Sequence, residues 1–113
     1  KTKIELNVDG TYMPPSAGSY ERVIYNSYLK PEYTYEKRII KWLKDASSNF
    51  IFTAYGEDNI EMINSFVHIN EISKEKIYVL LASNDLSLLS LIKLAGYNVT
   101  FNMDCVIDNE GLM

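Results

Sequence analysis

A chain of 113 residues, 47% hydrophobic and 23% charged, has the size and composition of one globular domain, too short for two cores and too apolar to stay disordered. Fifteen Asp and Glu against eleven Lys and Arg give a formal charge of −4, which argues against tight, sequence-independent binding to nucleic-acid phosphates unless the bases gather on one face. The single cysteine, Cys105, excludes an internal disulfide and gives no zinc-ligand spacing, and no apolar run approaches the roughly 18 residues of a membrane span, so a cytoplasmic protein with no membrane partner is expected.

In chain order, Ile4, Leu6 and Val8 alternate with Glu5, Asn7 and Asp9, which predicts a strand that meets Gly10 in a sharp turn. Pro14 to Ser19 is a loop, since two prolines remove backbone donors. Tyr20, Val23, Ile24, Ser27 and Tyr28 then recur at helical spacing, with Ser19 as N-cap and Lys30-Pro31 as the stop; a strand at Arg22 to Tyr25 is the alternative. A helix from Thr34 to Ala46, capped by Thr34, carries Ile39, Ile40 and Leu43 on one side and the partly gathered bases Lys37, Arg38, Lys41 and Lys44 on the other. Phe50 to Tyr55 has the aromatic and β-branched content of a buried strand, ended by Gly56.

Residues 57 to 67 form the next helix, with Ile60, Ile63 and Val67 inward and Glu57 and Asp58 in the first turn, where the helix dipole favours acids. His68 finishes it, and residues 67 to 73 are too irregular to assign. Ile77 to Ala82 is a near-continuous apolar run, as in a central parallel strand covered on both faces. Ser83, Asn84 or Asp85 caps a helix through Leu94 that Gly96 ends, and Tyr97 to Phe101 is the last strand. Strands alternating with helices predict a single α/β domain over residues 1–113, a three-layer sandwich around a mainly parallel, Rossmann-like sheet whose strand order pattern alone does not give.

Ligands of such sheets bind at the carboxyl ends of the strands, so Asp9, Thr53 and the Ser83-Asn84-Asp85 turn are candidates for one site. Asp9 and Asp85 are expected to share a Mg²⁺, with Thr53 and the following helix N-terminus holding a phosphate oxygen. Lys74 and Lys76, just before the Ile77 strand, are near enough to bring a charge to the same crevice. Against this stand ordinary structural roles: a turn aspartate at Asp9, an N-cap at Asp85, a strand-end hydroxyl at Thr53 and solvated lysines.

This order of residues resembles the haloacid dehalogenase (HAD) superfamily of phosphatases and phosphotransferases. The carriers are Asn7-Val8-Asp9-Gly10-Thr11 at the end of the first strand, Thr53, Lys74 or Lys76, and Ser83-Asn84-Asp85-Leu86-Ser87-Leu88-Leu89 leading to Ala95-Gly96. The resemblance implies phosphoryl transfer to or from a phosphorylated small molecule, with catalytic positions at Asn7, Asp9, Thr53 and Lys76 and Mg²⁺ on Asp9 and Asp85. Two departures stand out. Asn7 takes the place of the nucleophilic aspartate and cannot form an acyl-phosphate, and Leu81 or Ala82 replaces the first acid of the last motif, so the resemblance implies an impaired or binding-only member.

Asp9, Glu57 or Glu61, Asp85 and Asp104 also resemble the acids of PIN and NYN ribonuclease domains, which implies Mg²⁺-dependent cleavage of RNA. A ribonuclease H-like domain, suggested by Asp9-Gly10-Thr11-Tyr12, requires strands within residues 20 to 43. The remaining class is a non-enzymatic interaction domain, consistent with the missing nucleophile.

Overall fold

The structure is a computed structural model that describes residues 3–11 and 22–101. Five strands, β1 (Lys3–Val8), β2 (Arg22–Tyr28), β3 (Asn49–Ala54), β4 (Ile77–Leu81) and β5 (Asn98–Phe101), form one sheet in the order β1-β2-β3-β4-β5, with every neighbouring pair parallel. Helices α1 (Lys37–Asp45), α2 (Glu57–Ile69) and α3 (Leu86–Leu94) fill the connections from β2 onward. The expected α/β class with a parallel, Rossmann-like sheet is what the chain forms. No helix among the described residues is long and apolar enough to cross a membrane.

Alternation along the strands sorts the two faces. Tyr25, Ser27, Phe50, Phe52, Ala54, Ile77, Val79 and Leu81 are buried, whereas Asn26, Asn49, Ile51, Thr53, Tyr78 and Leu80 between them are half-buried. The buried face receives α1 and α2. Trp42 of α1 meets Tyr25 edge-on at 5.0 Å, and Phe66 of α2 meets Phe52 at 5.4 Å. When strand order advances in one direction, right-handed crossovers bring successive helices to one face of the sheet. That distributes the helices differently from a doubly wound sheet, in which the order reverses. β4 therefore has one sealed face, while Tyr78 and Leu80 on the other keep partial contact with solvent.

Residues 22–28 correct one expectation. They form strand β2, paired with β1 from Lys3↔Arg22 to Val8↔Ser27, not a helix running to Tyr28. The deciding residue is Ser27, which is fully buried because its hydroxyl meets that of Ser48 at 2.7 Å while Ser48 Oγ donates to the Tyr25 carbonyl at 3.0 Å. Thr34 does not cap α1 either. Glu36 holds the N-cap position without a side-chain cap bond and instead accepts from Arg38 Nε at 2.8 Å. The Pro14–Ser19 loop, the Ser19 cap, Asp104 and Cys105 lie outside the described residues.

The three helices stop alike. Ser48, Ile72 and Tyr97 each donate a backbone N–H to a carbonyl five residues back, at Leu43, Val67 and Ile92, and the residue before each donor is left-handed: Ser47 at φ +56°, Glu71 at φ +52° and Gly96 at φ +90°. Each stop returns the chain to the amino edge of the sheet, so the loops that follow β2, β3 and β4 start at the carboxyl edge.

Candidate functional site at the carboxyl edge of the sheet

Asp9 leaves β1 into a tight turn. Its Oδ1 accepts from the Thr11 backbone N–H at 3.1 Å and from the Thr11 hydroxyl at 2.7 Å. These two bonds, the hydroxyl's first, hold the Asp9 carboxyl below the usual aspartate range. Asp85 repeats the arrangement as N-cap of α3, with Oδ1 accepting from the Ser87 hydroxyl at 2.6 Å and its N–H at 2.9 Å, and its carboxyl is lowered for the same reasons. Both groups favour the charged form in the fold, so whatever stability they contribute is present above the unfolded aspartate pKa and is lost as pH falls through the folded value. A carbon-13 titration of the carboxyls should find Asp9 and Asp85 below their values in short peptides. Thr11→Ala should raise the former and Ser87→Ala the latter; an unmoved Asp9 in Thr11→Ala would refute the cause.

Asp9 and Asp85 reach the same edge from distant strands. β2 and β3 stand between β1 and β4, so their parent strands are three spacings apart, roughly 14 Å. Two donors to one Mg²⁺ lie within roughly 5 Å of each other, since each sits about 2.1 Å from the ion. The strand order thus starts the loops that carry these two carboxylates from strands that are not neighbours.

Thr53 sits next to last in β3 on the half-buried face, paired with Leu80, and points away from the Phe52 side on which α2 packs. The N-terminus of α2 is served instead by Asn59, whose Oδ1 accepts from the N–H groups of Tyr55 at 2.7 Å and Gly56 at 3.0 Å. Lys76 lies in the 3₁₀ turn Lys74–Lys76 that leads into β4, hence at the amino edge, about a strand length of 16 Å from Asp85's edge. It does not share a crevice with Asp9. Lys74 holds its ammonium 6.0 Å from the Tyr97 ring, beside a cavity of about 730 Å³ that also includes His68, Glu71 and Asn64.

Asn7 belongs to the sheet face. Asn7, Asn26 and Asn49 are cross-strand partners on β1, β2 and β3. Asn26 Nδ2 donates to Glu5 Oε1 at 3.0 Å and to Asn7 Oδ1 at 3.4 Å, and Asn49 Nδ2 donates to Asn26 Oδ1 at 3.3 Å. Asn26 both donates and accepts along the row, which a carboxylate cannot do, whereas Asn7 accepts.

Beside Asp9 the carboxyl edge opens a cavity of about 510 Å³ lined by Gly10, Thr11, Glu32, Tyr33, Tyr35 and Glu36. The Tyr33 and Tyr35 rings stand 6.3 Å apart at 47°, and Lys30 places its ammonium 5.2 Å from the Tyr33 centroid. Tyr35 is fixed from behind by Phe66 at 6.0 Å and by the Lys30 N–H, which donates to its hydroxyl at 2.8 Å; burial pushes that phenol's pKa up. The sequence pattern assigns Thr34, Tyr35 and Glu36 to a helix, whereas they precede α1, in a loop that sets two rings between Glu32 and Glu36. Comparison with protein-family profiles, with curated proteins and with solved structures finds no match to this chain.

Proposed function

We propose that this chain works by binding, as a non-enzymatic interaction domain, with the loops at the carboxyl edge of its sheet as the working surface. The observation that carries the reading is the strand order, which sets β1 and β4, the strands that lead to Asp9 and Asp85, roughly 14 Å apart. The phosphotransferase-like and nuclease-like readings both draw on these two acids acting together. Further support comes from what each candidate does locally: Asp9 and Asp85 tie their own turns, Asn7 joins a row of amides, and Lys76 serves the other edge.

The test is activity. The purified chain, Asn7→Asp and Asp9→Asn are each incubated with Mg²⁺ or Mn²⁺ and either p-nitrophenyl phosphate or single-stranded and structured RNA. No turnover is expected from any of the three. Phosphomonoester hydrolysis gained in Asn7→Asp would restore the phosphotransferase reading, and metal-dependent RNA cleavage lost in Asp9→Asn would restore the nuclease reading.

A further inference from the structure

Exposed large apolar side chains occur at both ends of the sheet, with Ile69 and Leu94 closing α2 and α3 at the amino edge and the tyrosines at the carboxyl edge. Tyr33 is 53% exposed, Tyr55 70% and Leu86 75%, and all three follow the carboxyl ends of strands. Tyr28, the last residue of β2, is exposed beside them, as is Met62 on α2. At the carboxyl edge the exposed Tyr33 ring also lines a cavity, and an exposed apolar group in that setting marks an interaction surface more often than an isolated one does.

The charge of that edge selects the partner. Glu32 and Glu36 line the cavity between the two tyrosines, and Asp58 and Glu61 line a neighbouring cavity of about 340 Å³ with Pro31 and Met62. Pro31 and Glu32 are consecutive, so one loop forms a wall of both. Asp9 and Asp85 add ionised carboxylates to the same edge. The local cations are Lys30, which lies over Tyr33, Arg38, which is tied to Glu36, and Lys37 at the start of α1. Lys41 and Lys44 occur later on α1, where Lys41 pairs with Asp45 and Lys44 donates to the Asn70 carbonyl.

We propose that this edge docks a lysine- and arginine-rich polypeptide segment, with one cationic side chain taken over the face of Tyr33 in place of Lys30 and another held by Asp58 and Glu61. The proposal rests on the binding function above and adds its partner class. The ring faces attract cations, as the chain's own Lys30 demonstrates, and a guanidinium stacks on such a face better than an ammonium does. Two adjoining acidic cavities suit an extended segment with spaced cations rather than a single small ion. Phosphate-bearing partners are repelled by the same carboxylates.

The test uses a short fluorescein-labelled peptide of alternating arginine and serine, followed by anisotropy at physiological salt, with an alternating glutamate–serine peptide and a single-stranded RNA oligonucleotide as competing probes. Saturable binding of the arginine peptide alone is expected. Tyr33→Ala should weaken it about 5-fold, while Tyr33→Phe, which keeps the ring face, should not. Glu32→Gln combined with Glu61→Gln should weaken it about 5-fold or more and flatten its salt dependence. Glu75→Gln removes the same charge from an exposed residue at the amino edge and should leave binding unchanged. Absence of binding, equal loss in Glu75→Gln, indifference to Tyr33→Ala, or preference for RNA would each overturn the proposal. If it fails while the chain is inert as a hydrolase, only the partner class is wrong; if hydrolysis is found, the binding function itself falls.

Discussion

Replacing Phe66 by alanine should lower the unfolding free energy by about 3–5 kcal/mol, read as a shift of the urea midpoint. Phe66 is only 5% exposed and stands between two rings, Phe52 on β3 at 5.4 Å and Tyr35 in the loop after β2 at 6.0 Å. Its loss leaves a cavity where α2, the sheet and that loop meet. A domain of this size has a total stability of roughly 5–15 kcal/mol, so the variant should lose a large share of its margin. Phe66→Leu keeps most of the volume and should cost about 1 kcal/mol. A midpoint unchanged by Phe66→Ala would mean that the ring cluster is not part of the cooperative core.

Gly10→Ala should cost about 2–5 kcal/mol. One part is conformational, since Gly10 sits at φ +79°, where a side chain costs about 1–2 kcal/mol. The other is crowding: an added Cβ would stand 2.7 Å from Leu29 Cδ2 and 2.9 Å from the Tyr35 ring, and overpacking of this kind costs about 1–3 kcal/mol. Tyr35 cannot easily yield because Phe66 backs it. Gly56→Ala is the comparison, since its backbone is extended and nothing lies within 4 Å of the added carbon. Thermal melts of the two variants should separate clearly; equal melting temperatures would show that the Asp9-Gly10 turn yields freely.

Much of the fold was legible because its signals are local. Ile4, Leu6 and Val8 alternate, Ile60, Ile63 and Val67 keep helical spacing, and Gly96 stands where a left-handed stop is needed. β2 was misread because Val23, Ile24, Ser27 and Tyr28 also satisfy a helical period. What settles the strand is the hydroxyl contact between Ser27 and Ser48, made across 21 positions of sequence. The turns at Asp9 and Asp85 could be identified from dipeptides, but the spacing between them could not, because it depends on two intervening strands. The Tyr33–Tyr35 cavity was missed for a different reason: Thr34 to Glu36 continue the pattern of the helix that follows, and the cavity's shape comes from Phe66 behind it.

The neighbour-to-neighbour order of the sheet bears on how the chain reaches this state. Each strand from β1 to β4 hydrogen-bonds the strand that comes next along the chain, so no pairing has to wait for a later segment to be inserted. Closure entropy is met in short instalments, which favours faster folding than parallel sheets of mixed order achieve. β3 and β4, each bonded on both sides and lined with fully buried Phe50, Phe52, Ile77 and Val79, are the natural nucleus. β1, bonded only to β2, joins at the margin, and its opening would release Asp9 and one wall of the tyrosine cavity while the rest of the sheet stays closed.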